Sequence, residues 1–193
     1  MTLQFRPLFA AAMFVLGAAS APALAQDSGW FIGAGGGISK YKSGCAALVT
    51  PGTCDDNGNY WRVFGGYQFN SYFGYEMGYG DLGELTRTTT GVGSDNVEAK
   101  VLEAVLVLTI PLVDSFSVYA KYGIYSFDAD RTVTGAATVN AKGREMTYGF
   151  GAKYDLTKNI ALRAEWQHFF DVGDSGTGTF DVNAGLIGIV FKF

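Results

Sequence analysis

The last seven residues of the chain are Ile187-Gly188-Ile189-Val190-Phe191-Lys192-Phe193, with a bulky apolar side chain at every second position. Successive side chains of a β-strand point to opposite faces, so the apolar positions from Ile187 to Phe193 share one face and Lys192 lies on the other. Two folds use such a strand. A soluble sandwich buries the apolar face in its core, whereas an outer-membrane β-barrel turns that face toward lipid and keeps aromatic residues at the interface.

The N-terminal residues have the pattern of a secretory signal peptide. Arg6 supplies a positive charge, an apolar run covers residues 8–19, and Ala23-Leu24-Ala25 matches the small residues of a cleavage site. The apolar run is too short for a membrane-spanning helix and is followed by Pro22. We therefore expect residues 1–25 to be a cleaved signal peptide, residues 26–193 to form the mature domain, and the protein to be exported to a bacterial envelope.

The composition favours strands over helices. The chain carries 27 glycines and 15% aromatic residues, which suits strands joined by tight turns. After the signal peptide the most apolar stretch, residues 101–113, contains Glu103 and Pro111 and is shorter than the roughly 20 residues that a spanning helix needs. Since a bilayer cannot satisfy an open sheet edge, any strands that cross the membrane must close into a barrel.

The alternation of apolar and polar residues predicts eight strands. They cover residues 30–41, 60–69, 72–81, 97–110, 116–127, 143–154, 160–170 and 179–193. Long polar connections at 42–59, 83–95, 128–141 and 171–178 alternate with short turns at 70–71, 111–115 and 155–159. This rhythm and the even strand number predict an all-β fold, an eight-stranded antiparallel up-and-down transmembrane β-barrel.

The two faces of the predicted strands differ in chemistry. One face is apolar, as in the run Leu102, Ala104, Leu106, and is expected to contact lipid. The opposite face carries charges of both signs, and it predicts an interior ionic cluster of Glu76, Glu103, Lys121, Glu145, Lys153, Arg163 and Glu165. An eight-stranded barrel has an interior just wide enough for its side chains, which favours a packed polar core. A narrow ion-conducting pathway through the same residues remains the alternative.

The connection between the first two strands holds both cysteines of the chain. Cys45 and Cys54 form an even pair in an exported protein, which predicts a disulfide. Asp55 and Asp56 follow at once, and the run Asp-Asp-Asn-Gly is more typical of a turn than of a cation site. The sequence indicates no metal site and no cofactor.

Several strands resemble those of the OmpA-type outer-membrane barrel family. The similarity lies in Phe64-Gly65-Gly66-Tyr67-Gln68-Phe69-Asn70, in Phe73-Gly74-Tyr75-Glu76-Met77-Gly78-Tyr79, in residues 111–121 and 160–167, and in the terminal Phe191-Lys192-Phe193. The resemblance implies a monomeric barrel in the outer membrane of a Gram-negative bacterium. It also implies a pairing of Glu76 with Arg163 inside the barrel, and an assembly signal at Phe191 and Phe193 that is read by the outer-membrane assembly machinery.

The resemblance implies a non-enzymatic role in envelope integrity and in surface or host interaction. The chain ends after the barrel, so we expect no peptidoglycan-binding domain. Expected partners are outer-membrane lipid and lipopolysaccharide, the assembly machinery, and host or surface ligands bound by the four outer loops. Nucleic acid is not expected, because the net charge is −4 and the mature region has no basic run.

One further alternative is a lipid A-modifying enzyme. His168 is the single histidine of the chain. Phe169 and Phe170 follow it, where a His-x-Ser spacing would suit such an enzyme, and strand parity places it on the outward face with Trp166. An interfacial position of an amphipathic ring explains His168 more simply than catalysis does.

Overall fold

In the computed structural model, which describes residues 28–46, 51–91 and 93–193, the chain forms nine antiparallel β-strands. They are β1 (Gly29–Tyr41), β2 (Gly52–Asp55), β3 (Asn57–Gln68), β4 (Phe73–Thr89), β5 (Gly93–Val113), β6 (Phe116–Val133), β7 (Val139–Asp155), β8 (Ile160–Asp174) and β9 (Gly178–Lys192). No helix in this part of the chain is long and apolar enough to cross a membrane. The predicted signal peptide and its cleavage site before Gln26 lie outside the described residues.

Eight of these strands close a barrel. Each pairs with its neighbour in the chain, β3 pairs with β1 and β4, and β9 returns to β1. At this last seam Phe31 lies opposite Lys192, and the N–H of Phe193 donates to the carbonyl of Trp30 at 2.9 Å. The short β2 continues β3 alongside β4. The predicted fold class, an eight-stranded antiparallel barrel, is confirmed.

One end of the barrel has longer strands than the sequence predicted. After a bulge between Asp81 and Glu84, β4 and β5 stay paired up to Thr89 and Gly93, so the predicted loop at 83–95 is mostly sheet. The predicted loops at 128–141 and 171–178 are likewise replaced largely by strand and a short turn. Gly- and Thr-rich stretches suggested loops, but threonine is β-branched and favours strands when a partner is present.

The other end of the barrel has the short turns and both ends of the β-structure. At the β3–β4 turn the side chain of Asn70 accepts the N–H groups of Tyr72 and Phe73, each at 2.9 Å. The β5–β6 and β7–β8 turns are as tight, although β5 continues to Val113 where a turn from residue 111 was predicted. In outer-membrane barrels the short turns face the periplasm, so we name this the periplasmic end and the opposite one the outer end.

The disulfide between Cys45 and Cys54 is formed, with the two Cα atoms 5.7 Å apart. It ties the turn after β1 to β2, and Cys54 packs against apolar residues of the interior. In the chain-entropy model a closed loop of this size stabilises the fold by about 2.5 to 3 kcal/mol. The disulfide therefore holds the outer end of β2 in place.

The acidic pair after the disulfide forms local contacts. Asp55 accepts the backbone N–H of Asn57 at 3.0 Å and its side-chain amide at 3.1 Å, and these donors hold the pKa of the Asp55 carboxyl below its usual value. Asp56 lies 3.3 Å from the ammonium of Lys40. The predicted turn does not form, because Asp56 only interrupts the strand between β2 and β3, which both pair with β4, so the end of the predicted 42–59 connection is sheet.

The outer surface of the barrel carries an apolar band. Its exposed members include Trp30, Ile32, Trp61, Val63, Met77, Tyr79, Leu102, Leu106, Leu108, Ile124, Met146, Phe150, Leu162, Ile187 and Phe191. Aromatic side chains recur near both limits of the band, where amphipathic rings are favoured. Every strand of the closed barrel thus presents lipid-compatible side chains outward.

Candidate functional site

Six charged side chains meet inside the barrel, and we call them the ionic cluster. They come from five strands and are Arg62, Glu76, Glu103, Lys121, Arg163 and Glu165. None is more than 6% exposed. Three cations face three carboxylates, so the cluster is neutral as a whole.

Arg62 and Arg163 hold the carboxylates together. The Arg62 guanidinium contacts Glu76 and Glu103 through Nη2. Its Nη1 donates to Glu165 Oε1 at 3.1 Å. Arg163 contacts Glu76 through Nη1 and lies 2.6 Å from Glu165 Oε2 through Nη2. The pairing of Glu76 with Arg163, which the family resemblance implied, is present in the structure.

Neutral side chains add hydrogen bonds to the cluster. Tyr119 donates its hydroxyl to Glu165 Oε2 at 2.8 Å. Gln167 donates to Glu103 and, at 2.8 Å, to Thr147 Oγ1, while its own Oε1 accepts from Lys121 at 2.6 Å. Buried charges are tolerated when they are both paired and hydrogen-bonded. Every charge of the cluster is paired; Arg62 Nε and Glu103 Oε1 are buried without a hydrogen bond, although Glu103 Oε1 contacts Arg62 and Lys121 as an ion pair.

The absence of a side chain at Gly78 makes room for Arg62. A Cβ atom on Gly78 would lie 2.7 Å from Arg62 Nε, which leaves no space for any side chain at this position. The guanidinium carbons of Arg62 and Arg163 lie 4.6 Å and 4.7 Å from the ring centroid of Phe64. Cation–π attraction therefore adds to the ion pairs.

The structure brings together five of the seven residues predicted for the interior cluster. They are Glu76, Glu103, Lys121, Arg163 and Glu165. Arg62 joins them although it was not among the seven, and its inward-facing position on β3 is the signal that could have identified it.

Glu145 does not join the ionic cluster. It is exposed, because β7 and β8 pair only from Thr147 opposite Phe169 toward the periplasmic end. Above that point the two strands separate, since β8 bulges between Phe169 and Val172 to follow β9. The alternation of inward and outward residues could not show that β7 and β8 stop pairing at Thr147.

The interior between the ionic cluster and the outer end is apolar, which corrects the expectation of a polar lumen throughout. We call this region the apolar core. Its buried members are Tyr41, Tyr60, Leu82, Leu85, Val97, Ala99, Val101, Tyr125, Phe127, Ala129, Ala141, Phe169, Val172, Phe180, Val182, Ala184 and Leu186. Four of them, Leu85, Ala129, Ala141 and Val172, lie in stretches that the sequence suggested were loops, and most of the others lie on predicted strands. Side chains of this kind pack at interior density and exclude water.

Above the apolar core, an arginine–carboxylate triad spans the outer mouth. Asp95 accepts from Arg131 Nε at 2.8 Å and from Nη2 at 2.9 Å, and Arg87 Nη1 lies 3.2 Å from the same carboxylate. Arg87 also donates to the carbonyl of Gly44 at 2.6 Å, and Arg131 to that of Gly176 at 3.2 Å. The triad therefore links the cysteine-containing connection and the β8–β9 turn to β4, β5 and β6.

Below the ionic cluster, a cavity of about 230 Å³ lies at the periplasmic end. Glu76 and Arg163 of the ionic cluster line it. Lys153, which the sequence predicted to belong to the cluster, also lines this cavity. Lys192 lies there too, with its ammonium 3.0 Å from Asp155. Lys153 thus belongs to the periplasmic end of the interior, below the ionic cluster.

Residues 25–193 match the family model described as OmpA-like transmembrane domain. The chain belongs to this family. OmpA-like barrels are outer-membrane proteins of Gram-negative bacteria, so the predicted fold family and location are confirmed.

The OmpA-like chain is similar to curated outer membrane proteins A. It is 30% identical to that of Shigella flexneri over 179 residues, which cover 90% of this chain and 51% of the relative. It is 30% identical to that of Klebsiella pneumoniae over 195 residues, which cover 94% and 54%. The chain thus spans about half the length of these relatives.

Solved structures share the fold of this OmpA-like barrel at low sequence identity. Ail of Yersinia pestis superposes with a TM-score of 0.58 at 14% identity, covering 86% of this chain and 99% of Ail. Neisserial surface protein A gives a TM-score of 0.63 at 13% identity, with coverage of 86% and 98%. OprG of Pseudomonas aeruginosa gives 0.59 at 14% identity, with coverage of 87% and 97%.

His168 of the OmpA-like barrel lies on the outward face, as predicted, but it is only 3% exposed. The rings of Tyr148, Trp166 and Phe170 surround it, with centroids 5.3, 6.0 and 4.5 Å from that of the imidazole. Its Nδ1 is 2.7 Å from Asn183 Oδ1. The aromatic neighbours bury His168 in the barrel wall.

The ionic cluster generates a stability prediction. Glu76→Gln removes one carboxylate and leaves Arg62 and Arg163 with an uncompensated buried charge, which lowers the free energy of unfolding by about 3 to 5 kcal/mol. Urea unfolding of the micelle-folded barrel, followed by tryptophan fluorescence, measures this loss. Asp128→Asn is the control, because it breaks an exposed pair with Lys142 and costs under about 1 kcal/mol.

The double variant Glu76→Met, Arg163→Met tests whether charge balance is the cause. It removes one charge of each sign, so its loss of stability is expected to be smaller than the sum of the two single losses. A Glu76→Gln barrel as stable as the Asp128→Asn control contradicts the role assigned to the ionic cluster.

Proposed function

We propose that this OmpA-like barrel is a non-enzymatic, non-conducting protein that maintains the envelope and presents a rigid surface for contacts outside the cell. The observation that carries the proposal is the apolar core, which fills the outer half of the lumen. Seventeen buried apolar residues occupy this region. Because packed apolar side chains exclude water, this layer opposes the passage of a hydrated ion.

A small pore is the rival function. The ionic cluster supports it in one respect, because charged side chains line the middle of the barrel. However, these charges are paired with one another and lie under the apolar core and the Asp95 triad. Opening the lumen would require both layers to separate.

A lipid-modifying enzyme is disfavoured by the surroundings of His168. Its polar neighbours in the described part of the chain are Asn183 and Asp181, whose carboxylate is 3.8 Å from Nε2. A nucleophilic hydroxyl next to the imidazole, as an acyl-transfer mechanism requires, does not occur among those residues. The curated relatives are outer membrane proteins A, and this similarity also supports a non-enzymatic role.

The outer tips are the proposed contact surface. Hydroxyl side chains are concentrated there, and they include Thr88, Thr89, Thr90, Ser94, Thr132, Thr134, Thr138, Ser175 and Thr177. They lie at the ends of the paired strands and in the turns between them, and Thr177 is the buried member of the group. Ail of Yersinia pestis was solved in complex with the heparin analogue sucrose octasulfate. The hydroxyl-rich tips and net charge of −4 of the present chain instead favour a host or surface molecule bound by neutral hydrogen bonds.

Conductance measurements test the sealed interior. The mature protein in planar lipid bilayers with concentrated KCl is expected to give no discrete conductance steps, and Glu76→Ala and Arg163→Ala variants to be equally silent. A well-characterised porin in the same bilayers is the positive control. Discrete steps that change in either variant would overturn the non-conducting part of the proposal.

Substitutions at the tips test the contact surface. Changing Thr90, Thr132 and Thr138 to valine removes three exposed hydroxyls while keeping β-branched side chains, and a several-fold loss of bacterial adhesion to epithelial cells or immobilised serum proteins is expected. Changing the same positions to serine retains the hydroxyls and retains adhesion. Equal adhesion by both variants, at equal surface amounts, contradicts a role for these tips.

The terminal aromatic residues are proposed as the assembly signal. Phe193 is 79% exposed and the side chain of Phe191 also faces outward, so both are accessible at the periplasmic end. Phe193→Ala is expected to lower the amount of folded protein in the outer membrane, measured by the heat-dependent shift in electrophoretic mobility. Phe150→Ala is the matched control, because it removes a similar exposed ring away from the terminus. An equal decrease in both variants would argue against a specific signal.

A further inference from the structure

An open groove of about 540 Å³ lies on the outward face of β5, β6 and β7. Its lining includes Tyr79 and Leu102 and four charged residues, Lys100, Asp128, Lys142 and Arg144. Three cations and one carboxylate therefore face the same space. We call this feature the basic groove.

The three cations of the basic groove are exposed, and two of them have carboxylate partners. The ammonium of Lys142 is 2.7 Å from Asp128 and that of Lys100 is 3.0 Å from Glu98, but each of these side chains is about half exposed or more. Arg144 is exposed and makes no hydrogen bond or ion pair within the described residues. Its guanidinium can therefore bind an anion without breaking an internal contact.

The basic groove lies at the outer limit of the apolar band. On β5, Lys100 is followed toward the periplasm by the exposed Leu102 and Leu106. On β7, Arg144 is followed in the same direction by Met146 and Phe150. Because these side chains mark where hydrocarbon begins, the cations stand at the level of the headgroups of the outer leaflet.

Two other lysines at the outer end lie outside the groove and, like Lys100 and Lys142, have carboxylate partners, so the distinguishing feature of the groove is the exposed Arg144 beside them. Lys40 and Lys42, at the outer end of β1, lie 3.3 Å and 4.0 Å from the carboxylates of Asp56 and Asp181. The chain as a whole has a net charge of −4. Three converging cations on this surface are therefore not a consequence of a generally basic protein.

We propose that the basic groove binds a phosphate group of the phosphorylated glycolipid in the outer leaflet. The free guanidinium of Arg144 offers a planar pair of donors for two phosphate oxygens, and Lys100 and Lys142 add two further positive charges. The acyl chains of the lipid then lie along Leu102, Ile124 and Met146, which face outward below the groove. The Asp128 carboxylate accepts a hydroxyl of the sugar.

Lipid is favoured over a soluble anion because charged and apolar surfaces are continuous here. A free phosphate would contact the cations but not Leu102 and Tyr79, whereas a phosphorylated glycolipid contacts both the cations and these apolar side chains. The inference needs only the outer-membrane location of the barrel. It does not depend on the surface-contact role proposed above.

The test compares three ligands by native mass spectrometry of the micelle-folded barrel: diphosphoryl lipid A, its dephosphorylated form, and inorganic phosphate. Diphosphoryl lipid A is expected to bind with a 1:1 stoichiometry, and the other two to bind much more weakly. Changing Lys100, Lys142 and Arg144 to glutamine should weaken lipid A binding by about tenfold or more, because three charge-assisted contacts are lost.

The matched control carries the same loss of charge elsewhere. This control variant changes Lys40, Lys42 and Lys158 to glutamine, which removes three cations outside the groove. It should leave lipid A binding near the original level. Arg144→Lys keeps the charge but loses the paired donors, so an intermediate affinity is expected. Should the triple variant not fold, Arg144→Gln alone is measured, and a decrease of several-fold is expected.

Three results would overturn the proposal. The first is unchanged lipid A binding in the groove variants, and the second is an equal decrease in the control. The third is inorganic phosphate binding as tight as that of lipid A, which shows only a general anion site. Conductance and adhesion of the groove variants are expected to equal those of the unmodified barrel. A failure of this inference is thereby separated from a failure of the proposed function.

Discussion

The structure depends on the closure of the sheet. A bilayer offers no hydrogen-bond partners, so every backbone N–H and C=O in the hydrocarbon must find one in the protein. Pairing of β9 with β1 completes this requirement across the seam, where β1 runs opposite β9 from Phe31 to Tyr41. Once the sheet is closed, side chains alternate between lipid and a narrow interior, and the sequence must supply a suitable residue for each.

The interior meets this constraint with different chemistry at different depths. Near the middle of the barrel, the inward faces of the strands carry charges that neutralise one another, and Arg62 contacts three carboxylates. Toward the outer end the walls extend beyond the lipid, and the lumen is filled by apolar side chains such as Tyr60 and Phe169. The protein therefore combines a membrane barrel with an interior that resembles the core of a water-soluble protein.

Strand parity predicted much of this arrangement and failed where pairing departed from it. The alternation on β4 and β8 placed Glu76 and Arg163 inward, and they are in contact. The outer hairpins were not predicted, because their glycines and threonines resemble loop composition until a partner strand is present. His168 had the correct face, but its burial depends on rings from neighbouring strands whose packing no local pattern reveals.

The separation of β7 from β8 above Thr147 has a consequence for how the barrel behaves in a crowded membrane. A sheet edge with free N–H and C=O groups can recruit a strand from another molecule and begin aggregation. Residues 139–146 of β7 have this edge, and the exposed Glu145 lies within it. A carboxylate at an edge opposes such pairing. Glu145, which contributes nothing to the ionic cluster, is thus placed to keep neighbouring copies from joining their sheets.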